Sequence, residues 1–226
     1  MEEEQEMNHI VDDKLKLIIG WNKKCGCGSL KHWYIQLKGI ERVANAHKQF
    51  RRLKFPSTVH ENKNYSNYQK VLIIRNPYDR LVSGFLDKYI FSKKTYESLT
   101  FNIFVNEFDL PNTSHFELQT SNMRITNWDI ISDVHGSDRK LLEISNGYGI
   151  KTEVRHLGKL RRKRGYKKSI INTQNVWDMS IDEIKRVQPA YSTFFDSQMR
   201  QKVYRIYQKD FEFFQSVGFN YENISD

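Results

Sequence analysis

The chain has 226 residues, 38% hydrophobic and 13% aromatic, which is enough for a full core in one α/β domain and excludes a disordered chain. Its formal net charge of +9 favours polyanionic partners: nucleic acid, anionic glycans, phosphate-rich nucleotides or acidic membrane surfaces. The two cysteines, Cys25 and Cys27, flank a single residue, and the strain of a bridge across one residue excludes a disulfide framework.

Residues 1–13 are acidic and polar and read as a flexible N-terminal lead-in to a domain over 14–226. Met1-Glu2-Glu3-Glu4 lacks the basic start and apolar centre of a signal peptide, and no apolar run approaches the ~18 residues of a membrane span. The expected location is cytoplasmic, or the Golgi lumen if an N-terminal anchor has been removed. Leu15 to Gly20 reads as a short buried strand, followed by a glycine-containing loop from Trp21 to Gly28. From Ser29 to about Asn45 the apolar residues Leu30, Trp33, Tyr34, Leu37, Ile40 and Val43 are spaced for one helical face.

Residues 46–69 are polar and read mostly as loop. The strand–turn–helix order then recurs. Val71 to Ile74 is an apolar strand, Arg75-Asn76-Pro77-Tyr78 a turn with Pro77 placed to open a helix, and Leu81, Phe85 and Tyr89 lie four residues apart. Trp128 to Ser132 is a candidate third strand. Lys159 to Lys168 holds seven basic residues in ten and no acidic one. Met199, Val203, Ile206, Tyr207 and Phe214 mark one helix finishing before Gly218. Alternating strands and helices predict an α/β fold, a single-domain parallel sheet flanked by helices.

The loop Lys24-Cys25-Gly26-Cys27-Gly28-Ser29 joins the first strand to the first helix. A helix N-terminus presents unpaired N–H groups and the positive end of a dipole, glycines let the backbone approach an oxyanion, and lysine adds a point charge. It is not a Walker A loop, which needs Gly-Lys-Ser/Thr after the glycines. An ordinary tight strand–helix connection remains the plain alternative. Cys25, Cys27 and His32 fall short of the four ligands of a closed zinc site, so no metal is expected. Arg75 at a strand end and Ser83 in the next helix form a reasonable phosphate clamp at the carboxyl edge of the sheet, where open α/β sheets bind ligands.

These residues carry a resemblance. Lys24-x-Gly26-x-x-Ser29 resembles the 5′-phosphosulfate loop of sulfotransferases that use 3′-phosphoadenosine 5′-phosphosulfate (PAPS). Arg75-Asn76-Pro77-x-x-Arg80-Leu81-Val82-Ser83 resembles their 3′-phosphate motif, and the likeness is closest to Golgi-type carbohydrate sulfotransferases. Ser114-His115-Phe116-x-x-Gln119 and the tail from Ile206 to Tyr221 are similar to further segments of those enzymes. The resemblance implies a P-loop-like sulfotransferase fold. It also implies PAPS as co-substrate without a metal, and a carbohydrate or other hydroxyl acceptor, possibly anionic, with no nucleic acid partner. Lys24 would contact the bridging oxygen of the phosphosulfate, Gly26, Cys27, Gly28 and Ser29 would line the loop, and Arg75 and Ser83 would hold the 3′-phosphate. The chain departs from the family pattern at Lys23, where a proline is usual, at Gly28, where a hydroxyl residue is usual, and at Gly158, where many relatives have asparagine.

Sulfuryl transfer needs a base for the acceptor proton, and His60, His115 and Glu61 are the candidates. Arg161, Arg162 and Arg164 of the basic run are expected to touch the donor's 3′-phosphate or to attract an anionic acceptor. Two alternatives of other classes are a basic nucleic-acid-binding protein carried by Lys159–Lys168 and a nucleotide-dependent kinase. The first lacks an interleaved aromatic platform, the second a Walker A loop.

Overall fold

Leu17–Trp21 (β2) and Gln69–Ile74 (β3) are short apolar runs bounded by polar turns, and they pair in parallel at the middle of a four-stranded sheet. Ile130–Asp133 (β4) extends the sheet in parallel, and Asn8–Asp12 (β1) closes the other edge antiparallel to β2, giving the order β1-β2-β3-β4. The computed structural model describes residues 7–41, 43–55, 58–60, 62–90, 96, 98–110, 115–121, 123–154, 176–187 and 189–221. The expected α/β class holds, with one antiparallel edge strand on an otherwise parallel sheet. Within residues 1–13, read as a flexible lead-in, the described part differs from that reading at Asn8–Asp12. Asn8–Asp12 is a strand with His9, Ile10, Val11 and Asp12 buried, because its backbone pairs with β2.

By its contacts the chain divides into two compact units, Met1–Arg75 with Ser121–Arg161, and Asn76–Thr120 with Arg162–Asp226. The first unit holds the sheet. One face packs against Cys27–Leu37 (α1), Ala46–Arg52 (α2) and Ser137–Gly147 (α5), with Trp33, Tyr34, Phe50, Leu141 and Ile144 in its core. The Trp33 indole donates to Ser145 Oγ at 2.7 Å across that layer. The other face carries Val11, Ile18, Val59, Tyr68 and Ile125. There Trp128 lies so close over Gly20 that a Cβ at residue 20 would sit 2.5 Å from its ring.

Helix α1 ends earlier than its apolar spacing predicts. Gly39 takes φ +80°, its N–H reaches Gln36 O at 2.8 Å, and the Ile40 N–H reaches Ile35 O at 3.2 Å, a glycine C-cap that stops the helix at Leu37. The stretch read as loop over 46–69 contains α2, opened by Asn45, whose side chain accepts from the Lys48 amide at 3.0 Å.

The second unit is helical around an aromatic core of Phe85, Phe101, Phe104, Phe116, Phe194 and Tyr207. Pro77–Phe85 (α3) is capped by the Asn76 side chain and runs into a π-helical turn, Leu86–Ile90. Phe101–Glu107 (α4) and Ile181–Arg186 (α6) follow, the latter with a Ser180/Glu183 capping box. The single final helix of the sequence reading is two helices, Ser197–Ile206 (α7) and Gln208–Ser216 (α8), divided at Tyr207 (φ −107°, ψ 22°). The Tyr207 hydroxyl donates to Phe116 O at 2.7 Å.

Candidate active site

In the first unit the parallel strands β2, β3 and β4 present their carboxyl ends at one edge of the sheet. The loop Asn22–Gly26 leaves β2 there. It turns through a hydrogen bond from the Cys25 amide to Asn22 O at 3.1 Å, with the Cys25 side chain fully buried. Lys24 and Gly26 both hold left-handed backbone, φ +70° and +71°. For lysine that conformation costs on the order of 1 kcal/mol, and such strain gathers where loops are shaped for ligands. At Gly26 a side chain is also barred by space, since a Cβ would lie 2.9 Å from Val134 Cγ2.

Gly26 is the N-cap of α1, and no side chain caps that end. Cys27, Gly28 and Ser29 form the first turn, where backbone N–H groups have no carbonyl one turn earlier and the dipole favours an anion. Cys27 Sγ lies 3.9 Å from His47 Nε2. His32, grouped with the cysteines in the sequence, is buried within α1, and no cluster of three or more metal-ligating side chains occurs among the described residues.

Arg75 follows the last residue of β3, and its Nη1 donates to the Lys24 carbonyl at 2.9 Å. The first residue of the second motif and the loop are thus joined within one unit. Ser83 lies in the second unit, where it is the one residue of α3 that is not buried.

The base candidates separate. His60 is exposed in the first unit, with the peptide group that precedes it held at both its N–H and its C=O. The His60 amide donates to the Tyr65 hydroxyl at 3.0 Å, and Arg124 donates to Val59 O at 3.1 Å. His115, in the second unit, is half-buried at φ +88°. Its signature partners Phe116 and Gln119 are buried and structural. Phe116 O accepts from Tyr207, Glu117 O accepts from Arg80, and the amides of Gln119 and Thr120 donate to the Asp210 carboxylate at 2.8 and 2.9 Å. Burial pushes the Asp210 carboxyl above the usual range, against the pull of these hydrogen bonds and of the Arg80 charge.

Glu61, the basic run with Arg161, Arg162 and Arg164, and Gly158 lie outside the described residues. One edge residue escaped the sequence reading. His135 is exposed in the turn after β4, where its amide donates to Asp133 Oδ1 at 2.7 Å. The signal was available, because Asp133-Val134-His135-Gly136 is a third strand–turn–helix junction.

An open, mostly parallel sheet with a lysine-bearing loop feeding a helix at its carboxyl edge defines an α/β protein with an anion-binding type of site at that edge. A family model described as the sulfotransferase family matches residues 7–217, and the chain belongs to that family. It is accordingly a transferase, and the family supports sulfuryl transfer in general. No curated protein and no solved structure matches the chain. No helix among the described residues is long and apolar enough to cross a membrane.

Proposed function

We propose that the chain transfers the sulfuryl group of PAPS to a hydroxyl of a carbohydrate. The observation that carries this reading is the left-handed Lys24 whose carbonyl is tied to Arg75, a strained loop anchored at the carboxyl edge of the sheet. In this reading Lys24 and the amides of Gly26, Cys27, Gly28 and Ser29 surround the phosphosulfate, and Arg75 and Ser83 take the 3′-phosphate. Arg161, Arg162 and Arg164 add charge for the donor or for an anionic acceptor.

Sulfuryl transfer is an in-line displacement. The S–O bond to the leaving phosphate breaks as the bond to the acceptor oxygen forms, and charge builds on the leaving oxygen. Lys24 and the first turn of α1 neutralise that charge, an effect that grows toward the transition state. His60 or His115 takes the acceptor's proton. The site calls for no metal, since the cation at the leaving oxygen is the lysine itself.

The test is transfer of labelled sulfur from PAPS to a panel of glycans, paired with thermal stability in adenosine 3′,5′-bisphosphate. A ligand at 100 times its dissociation constant adds about 2.7 kcal/mol to folding. A folded sample with no thermal shift at millimolar bisphosphate and no transfer overturns the reading.

A further inference from the structure

In the second unit a cleft of about 250 Å³ is lined by Tyr78, Arg200, Gln201, Tyr204 and Arg205. Positions 200 and 204, and 201 and 205, are each about one turn apart on α7, so the helix lines the cleft with two guanidiniums, an amide and a phenol. Tyr78 comes from the start of α3 and is buried, and its hydroxyl donates to Arg200 O at 3.2 Å, which fixes the helix against it. Tyr204 is 44% exposed, yet its ring is held by stacking on Phe211 at 5.0 Å and 26°. Among the described residues, neither Arg200 nor Arg205 forms an ion pair with a carboxylate, and none that lines the cleft is acidic.

We propose that this cleft is a docking site for a sulfated or carboxylated sugar unit of the acceptor. Two guanidiniums that line one cleft and have no carboxylate partner among the described residues attract an anion, and planar guanidinium matches sulfate and carboxylate in two-pronged hydrogen bonding. A rigid, exposed tyrosine ring offers the flat apolar surface on which the C–H face of a sugar ring stacks, at little cost in side-chain freedom because Phe211 already holds it. The volume suits about one sugar ring, so a longer chain is gripped at one unit and runs on from there. This assignment rests on the carbohydrate sulfotransferase reading, whereas the binding it predicts does not require the donor.

The experiment is titration of the full chain with a heparin-derived tetrasaccharide, with maltotetraose as the neutral control and oligothymidylate as an anionic control without sugar sulfates. The expected result is saturable tetrasaccharide binding that weakens at least tenfold in R200A/R205A, no maltotetraose binding, and unchanged affinity for adenosine 3′,5′-bisphosphate. Tyr204→Ala weakens binding while Tyr204→Phe keeps it, which separates ring stacking from the hydroxyl. Equal tetrasaccharide affinity in wild type and R200A/R205A overturns the proposal, as does absence of binding to wild type. Tighter binding of oligothymidylate with the same loss in the double variant also overturns it, because the cleft would then serve nucleic acid. If wild type transfers no sulfuryl group from PAPS to any glycan but the double variant still loses the tetrasaccharide, the cleft stands as an anionic-sugar site and the PAPS-to-carbohydrate reading falls.

Discussion

Arg75 donates a hydrogen bond to the carbonyl of Lys24 at 2.9 Å, so the residue at the end of β3 holds the backbone of the residue expected at the reacting centre. Arg75 thus has two expected duties, anchoring the loop and meeting the 3′-phosphate. Arg75→Ala should weaken adenosine 3′,5′-bisphosphate more than tenfold. It should weaken adenosine 5′-phosphosulfate, which lacks the 3′-phosphate, by a smaller factor that reports the loosened loop alone. Calorimetric titration of both ligands checks this, and equal losses would leave Arg75 with the anchoring duty only.

Lys24 separates charge from backbone shape. Glycine adopts φ +70° without strain, so Lys24→Gly keeps the loop conformation and removes the ammonium, while Lys24→Ala disturbs both. If the charge acts on the leaving oxygen, both variants should lose roughly 10²–10³ in kcat, the order seen on losing one oxyanion donor. Bisphosphate affinity should hold better in Lys24→Gly. A Lys24→Gly enzyme with near wild-type kcat would show that the loop's shape, not its cation, matters.

The His60 backbone is clamped by the Tyr65 hydroxyl, and Tyr65 in turn packs edge-on against Tyr68 at 5.1 Å. If His60 is the base, His60→Ala should lower kcat by roughly 10²–10⁴, and Tyr65→Phe should lower kcat several-fold with KM for PAPS unchanged. Loss of activity in His115→Ala instead, with His60→Ala active, would assign the proton to the second unit.

His9 makes the first unit sensitive to acid. Burial pushes its imidazole down to about 4, whereas the unfolded chain takes up that proton near 6.5. The unfolded state therefore binds more protons between those values, and stability should fall as pH drops from about 6.5 to about 4, by on the order of 3 kcal/mol. Below that window Asp12 adds to the loss. Burial opposes its charge, but hydrogen bonds from Lys38, the Leu15 amide and Tyr34 outweigh it and hold the carboxyl below the usual range. Urea unfolding at pH 7 and pH 4.5 should show the difference in wild type and a flatter response in His9→Leu.

Asp210 accepts three hydrogen bonds from Gln119 and Thr120 inside the second unit. Asp210→Ala strands those buried donors and should cost about 3 kcal/mol. For a chain of this size that lowers Tm by about 10 °C. A Tm within a degree or two of wild type would show that water replaces the carboxylate.

The two strand–loop–helix units were legible because each signal is local: an apolar run, glycines or Pro77, then a helical spacing. β1 was not, because Asn8 and His9 read as polar chain and become strand only through pairing with β2. α2 carries just two buried side chains, Ala46 and Phe50, so Asn45 was its main sign. The break at Tyr207 is tertiary, since the apolar spacing runs straight through it. At the site, the Lys24 and Arg75 motifs were readable in the sequence, but the carbonyl bond joining them was not. The histidines were found by type alone, which cannot say that His60 and His115 belong to different units or that His135 reaches the sheet edge.

Gly84, buried in α3 beside Ser83, has the Phe116 ring so near that a methyl group at residue 84 would come within 2.4 Å of it. Neither position can drift alone. Any enlargement at 84 has to be matched by a smaller side chain at 116, so among descendants of this gene the two sites should covary as a linked pair. Gly84→Ala should be poorly tolerated by itself and rescued by Phe116→Leu, which gives library selection a direct handle on that constraint.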